Sequence, residues 1–310
     1  MAAVSWADVK ELDIAEAKKA CAFEVRREDL LSNENNLKSK FKLVSVKMPG
    51  EEDFTRLGEV NQNRPFIPYS EAVDWVNEQL SSVGSDYKLF RAAIEEKTKA
   101  LFHQYIFKDE VASPDGHSIA PSVCFRASYQ GWRPALEILF GTYRFVCDNG
   151  AIVGFGDNGS IRVNSHNWTT YTKTGIADKF RDAFGRLQDI SKLYHDLDKV
   201  TLSEKYADVF SSKAFSVALR KKVLSMLEMD GKVVITKESE KKDDLLLKTK
   251  LLEEADFKIE NIASAIQVSE DVPLWDVYNA FTRTVSTAAN SAKFITDSQR
   301  VNNVFRKMVA

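Results

Sequence analysis

Four histidines (His103, His117, His166, His195) and three cysteines (Cys21, Cys124, Cys147) are the residues of this chain best suited to metal or nucleophilic chemistry. Their spacing argues against both. The sequence holds neither His-Glu-x-x-His nor Cys-x-x-Cys, and a metal centre needs ligands that converge. His195-Asp196-Leu197-Asp198 is the one His–carboxylate cluster. On a helix its successive residues point about 100° apart, so it reads as a solvated face. Gly154-Phe155-Gly156 lacks the third glycine and the Gly-Lys-Ser/Thr ending of a phosphate-cradling loop. Cys124 and Cys147 fall on expected strands, where cysteine packs as a small hydrophobe. An odd number of thiols fits a reducing compartment better than a disulfide scaffold. The expectation is a non-catalytic protein with no metal and no cofactor.

Aromatic rings interleaved with arginines are the remaining pattern with chemical meaning. Across 121–175 the cations Arg126, Arg133, Arg144, Arg162 and Lys173 outnumber Glu137, Asp148 and Asp157, and the same stretch carries Tyr129, Trp132, Tyr143, Trp168 and Tyr171. Near the end, Arg283, Lys293, Arg300, Arg306 and Lys307 face Asp297 alone. Rings stack on bases and cations track phosphates, which is what a single nucleic-acid strand requires. The expected interface is Arg126, Tyr129, Arg133, Arg144, Arg162, Trp168 and Lys173, joined by Arg300, Arg306 and Lys307. The competing reading is that strand aromatics fill a core. With a net charge of −2 over 310 residues, any such site must be a local patch.

The elements that would hold these residues follow from periodicity. Ser5 to Ala20 predicts an amphipathic helix capped by Ser5. The polar stretch 32–36 predicts a loop, Phe41 to Met48 a strand, and 50–68 irregular chain. Ser70 predicts the cap of a helix through Val73, Val76 and Leu80. Val123–Tyr129, Ala135–Cys147, Ala151–Phe155 and Ile161–Val163 predict strands, broken at Gln130-Gly131, Asp148-Asn149-Gly150 and Asp157-Asn158-Gly159. Asn-Gly favours the left-handed backbone of tight hairpins, so Asn149-Gly150 is expected at a turn. Ile176 to Leu197 predicts one helix of about six turns, Phe210 to Leu227 another, Lys232 to Thr236 a short strand, and Lys237 to Glu260 a charged helix. Pro273 opens a final helix. The class is α+β: an antiparallel meander over about 105–163 packed against long helices, with a helical C-terminal half. The expected division is an N-terminal helical segment (1–40), an α+β core (41–200) and a helical region (201–310). No apolar run approaches the ~20 residues of a membrane span, and the opening residues lack a secretory signal.

The stretch Arg144-Phe145-Val146-Cys147-Asp148-Asn149-Gly150 resembles the Arg-x-x-Cys-x-Asn-Gly signature of a phage- and plasmid-borne family, the domain-of-unknown-function family numbered 932. Pro121 to Gly131 resembles the hairpin before that signature, with Ala127 and Gln130 in place of the usual polar residues. Ile161 to His166 resembles the basic stretch after it, and Tyr278 to Thr282 resembles a helix near the family's end. In this pattern Cys147, Asn149 and Gly150 are structural signature residues. The resemblance implies a mobile-element origin and no established activity. The meander on a long helix is also similar to the core of phage single-strand annealing recombinases. The functional expectation is a nucleic-acid-binding protein, a single-strand DNA annealing or recombination accessory, acting as a homo-oligomer in the host cytoplasm. The alternative is a virion, assembly or host-factor-binding protein with phage or host protein partners.

Overall fold

The computed structural model describes residues 9–31, 38–64, 66–131, 135–144, 149–151, 160–163, 177–185, 187–210, 215–235, 266–268, 272–286 and 291–309. Its elements begin with α1 (Ile14–Ala20), β1 (Glu24–Leu31), β2 (Lys38–Lys47), β3 (Thr55–Asn61) and α2 (Tyr69–Ser81). Seven strands follow: β4 (Tyr87–Ile94), β5 (Leu101–Phe107), β6 (Val111–Ala112), β7 (Ser118–Ala127), β8 (Leu136–Arg144), β9 (Asn149–Ala151) and β10 (Ser160–Val163). The rest is α3 (Ala177–Gly185), α4 (Leu187–Asp198), α5 (Leu202–Phe210), α6 (Val217–Met229), β11 (Val233–Ile235), β12 (Ile266–Val268), α7 (Leu274–Ser286) and α8 (Ser291–Val309). The protein is α+β. The expected loop at 32–36 and the expected helix at 237–260 lie outside the described residues.

The chain forms two compact units. The first combines Met1–Glu110, Ile119–Phe145 and Ile152–Leu187; the second combines Val111–Ser118, Val146–Ala151 and Gln188–Ala310.

The first unit is organised by an antiparallel meander in the order β10-β8-β7-β5-β4. Its register sets His103 opposite Phe125, Cys124 opposite Leu139, and Ile138 opposite Ile161. β5 is buried throughout, β7 from Ile119 on and β8 up to Tyr143. Strands covered on both faces need near-continuous apolar runs rather than alternation, and this is why they were legible. The meander starts earlier than expected, at Tyr87. Helix α2 lays Val73, Val76 and Leu80 inward, and Asn77 Nδ2 donates to the Tyr105 hydroxyl of β5 at 3.2 Å. Phe180 of α3 meets Phe140 of β8 edge to face at 5.1 Å.

Several local expectations are corrected. Residues 9–13 are not helical; Asp13, whose carboxylate accepts the amides of Ala15 at 2.7 Å and Glu16 at 3.2 Å, caps α1. Pro68 occupies the cap position of α2, and Ser70 lies inside the helix. β1 and β3 flank β2 in a three-stranded antiparallel sheet that was not foreseen. Asn149 and Gly150 are strand residues of β9, not the centre of a turn. Of the helix expected over Ile176 to Leu197, the described residues form α3 (Ala177–Gly185) and α4 (Leu187–Asp198), and residue 186 lies outside the described residues.

The second unit is mainly helical. α7 packs on α6 and α8. Thr201 and Pro273 form a bridge, reinforced by the amides of Leu202 and Leu274 donating to Val272 and Val200. Its core holds a polar chain: the Tyr278 hydroxyl donates to Asn302 Oδ1 at 2.7 Å and lies 3.4 Å from the Tyr194 hydroxyl.

Candidate functional site

Burial decides the fate of the predicted interface. Arg126 is only 2% exposed, and its guanidinium lies 3.7 Å from Glu95 Oε2, which also accepts the Thr98 hydroxyl at 2.6 Å. An arginine on a strand whose two faces are both covered serves the interior, so Arg126 is not a phosphate contact in this fold. Tyr129 is 7% exposed and is likewise internal. Arg144 ends β8 half-buried opposite Ile119. Arg162 lies on β10 opposite Glu137 in the backbone register. Arg300 is on α8 and pairs with Asp297 at 3.4 Å; Arg306 and Lys307 are exposed in the last turn. These three belong to the second unit, whereas Arg126, Tyr129, Arg144 and Arg162 belong to the first. Arg133, Trp168, Lys173 and Cys147 lie outside the described residues.

Tyr129 nevertheless leads to a different site. Its ring stacks on Tyr69 with centroids 4.1 Å apart and planes 2° from parallel. Phe66 also stacks on Tyr129, at 5.3 Å and 19°. Phe66 is 40% exposed, so a column of three near-parallel rings begins in the core and ends at the surface. The inner rings are fixed by hydrogen bonds: the Tyr69 amide donates to the Tyr129 hydroxyl at 3.1 Å, and the Tyr69 hydroxyl donates to the Lys99 carbonyl at 2.9 Å. Burial pushes both phenols well above their ordinary pKa, so they remain neutral.

Two arginines stand beside the column. Arg64, two residues before Phe66, donates to the carbonyls of Ser128, at 3.0 Å, and Gln130. Arg27, from β1, donates to the carbonyls of Gln62 at 3.3 Å and Arg64 at 3.2 Å. Among the described residues no carboxylate lies within 4 Å of either guanidinium. Burial, with a smaller contribution from the Arg27 charge, lowers the Arg64 pKa from its ordinary value. Both arginines, Phe66, Ser128 and Tyr129 line a cavity of about 20 Å³.

Sequence order hides this assembly. Arg27 and Arg64 are 37 positions apart, and Arg64 and Phe66 sit in a segment that reads as irregular. The one available signal was an arginine and an aromatic together in a loop, where binding residues concentrate. The Ser128–Gly131 turn is held against β3: a Cβ at Gly131 would fall inside 3.0 Å of the Glu59 carbonyl oxygen and 3.2 Å from Val60 Cα.

Other chemistry finds less footing. Among the described residues no group of three His, Cys, Asp or Glu could hold a metal ion. His103 is fully buried, and burial lowers its pKa to about 4. Burial raises the Cys21 and Cys124 thiols to about 12, far from the thiolate that nucleophilic chemistry requires. No described helix is long and apolar enough to cross a membrane.

The fold and this cluster define an α+β protein in which aromatic rings and two arginines gather just beyond the end of β7. The family model described as Domain of unknown function (DUF932) matches residues 56–300, and the chain belongs to that family. No curated protein and no solved structure matches it.

Proposed function

We propose that the protein binds single-stranded nucleic acid without covalent chemistry, through the Phe66 end of the ring column and the neighbouring arginines. The observation that supports this reading is the column Tyr69–Tyr129–Phe66, internally stacked, with its last ring exposed beside two guanidiniums that have no carboxylate within 4 Å among the described residues. An unpaired base extends the stack by one ring, and its phosphate meets the cations. A base inside a duplex has both faces occupied, so the preference is for single strands. One such grip is weak, and copies of the chain lined along one strand would multiply it. This suits the annealing or recombination accessory that the resemblance to phage-borne proteins implies.

The test is a fluorescence-anisotropy titration with labelled single- and double-stranded oligonucleotides over a salt series. Each phosphate neutralised on a single strand contributes about −0.7 to the slope of log affinity against log salt. One or two contacts therefore give roughly −0.7 to −1.4 by that relation. Phe66→Ala removes about 1–3 kcal/mol of stacking, weakening binding without altering the slope. Alanine at Arg300, Arg306 and Lys307 measures any contribution of α8 separately. Absence of binding at low salt, or a Phe66→Ala variant that binds like wild type, overturns the proposal in favour of a protein-binding or assembly role.

A further inference from the structure

We infer that Arg27 and Arg64 form a seat for one phosphate group, with a single phosphate oxygen entering the cavity between them. This rests on the proposed nucleic-acid reading only for the source of the phosphate; the seat itself stands on its own geometry. Four backbone carbonyls accept the described donors of the two guanidiniums, and neutral acceptors orient a positive charge without cancelling it. The two charges bear on each other, since Arg27 lowers the Arg64 pKa. A protein that holds two arginines together against that repulsion is completed by an anion.

Two further observations bear on the anion. Arg27 Nε is shielded from solvent and has no hydrogen-bond partner among the described residues, although Arg27 NH2 is committed to the carbonyls of Gln62 and Arg64. The guanidinium therefore keeps one N–H that no described acceptor uses. The cavity both arginines line is about 20 Å³. About 10–15 Å³ admits one water-sized atom, so an oxygen of an anion can enter. A phosphate meets this geometry: one oxygen enters, and the others remain outside beside the exposed Phe66 ring. Its several oxygens address two guanidiniums at once, which suits arginine forks. The phosphate belongs to a strand, a mononucleotide or the free ion.

Thermal unfolding of the full chain in inorganic phosphate, against chloride at matched ionic strength, tests the seat. Phosphate is expected to raise the midpoint of the wild type in proportion to the logarithm of its concentration, and to leave Arg27→Gln unmoved. Arg27→Lys keeps the charge without the Nε donor and should respond weakly, which serves if Arg27→Gln folds poorly. Thymidine monophosphate should stabilise more than inorganic phosphate, since it adds a ring for Phe66. In the oligonucleotide titration Arg27→Gln should reduce the salt slope by about 0.7. If phosphate gives wild type no stabilisation beyond chloride, the seat is wrong, even where oligonucleotide binding that depends on Phe66 still supports the wider reading. If phosphate stabilises wild type through Arg27 while oligonucleotides do not bind, the seat stands as a small-phosphate site and the wider reading falls.

Discussion

Replacing Gly131 with alanine drives a methyl group into the backbone of β3. An ideal Cβ there lies 3.2 Å from Val60 Cα, 3.3 Å from the Glu59 carbonyl carbon, and inside 3.0 Å of the Glu59 oxygen. All three atoms are backbone in a hydrogen-bonded strand, with Leu43 opposite Glu59 and Lys42 opposite Val60. No side chain can swing aside, so β3 or the Ser128–Gly131 turn must move by several tenths of an ångström. Overpacking of this kind costs about 1–3 kcal/mol, and in a protein of this size that lowers the unfolding midpoint by roughly 2–10 °C. The same movement disturbs the carbonyls of Ser128 and Gln130, which orient Arg64, so ligand binding should weaken alongside stability. Gly185→Ala is the control: nothing lies within 4 Å of the added atom, and alanine suits a helix end, so stability should stay within about 1 kcal/mol of wild type. Thermal unfolding followed by circular dichroism reads both. A Gly131→Ala protein that melts with wild type would show that β3 does not approach the turn as described.

His103 makes the fold sensitive to acid. Its folded pKa of about 4 lies below the ordinary 6.5, so between those values the unfolded chain binds the extra proton and stability falls as pH falls. The loss begins near pH 6.5 and is complete below pH 4, amounting to about 3 kcal/mol at roughly 1.4 per pKa unit; urea midpoints across pH 4–7 should show it, and His103→Leu should flatten that segment. Tyr278→Phe removes the buried hydroxyl that donates to Asn302 Oδ1 at 2.7 Å, and losing a hydrogen bond of this kind costs about 0.5–1.5 kcal/mol. Equal urea stability of this variant and wild type would mean that solvent or another donor fills the place.

What the sequence revealed depended on burial. β5, β7 and β8 were visible as strands because both faces are covered and their side chains are mostly apolar. β1 stayed hidden because Glu24-Val25-Arg26-Arg27-Glu28-Asp29 places a charge on almost every residue, and strand formers are otherwise β-branched or aromatic. Its stability comes from pairing with β2, where Val25 meets Val46 and Arg27 meets Val44. β3 was missed for a related reason, since Gly58 and Asn61 weaken its local preference. Asn149-Gly150 has the composition of a turn and the conformation of a strand; pairing overrides the dipeptide preference. The family signature around it was legible as a pattern without disclosing any chemistry.

The candidate site follows a rule that also separates it from the interface expected from sequence. A residue that binds a ligand must be both positioned and exposed, and the central meander strands supply only the first. Arg126 has the chemistry of a phosphate contact, yet it sits in a strand buried from Ile119 to Ala127. There its charge is matched by Glu95. Tyr129, two residues past the end of that strand, is the point at which the chain leaves the sheet. Its ring still belongs to the core, where it stacks on Tyr69, and it also stacks on the half-exposed Phe66. Positioning passes outward along the stack, from a tyrosine fixed by the Lys99 carbonyl to a phenylalanine that meets solvent. The arginines follow the same logic: Arg64 is held by carbonyls of the turn and Arg27 by carbonyls of the 62–64 segment. Backbone oxygens fix their geometry, and among the described residues no carboxylate lies within 4 Å to cancel their charge. A surface built in this way suits a flat ring joined to an anion, which is the ligand proposed for it.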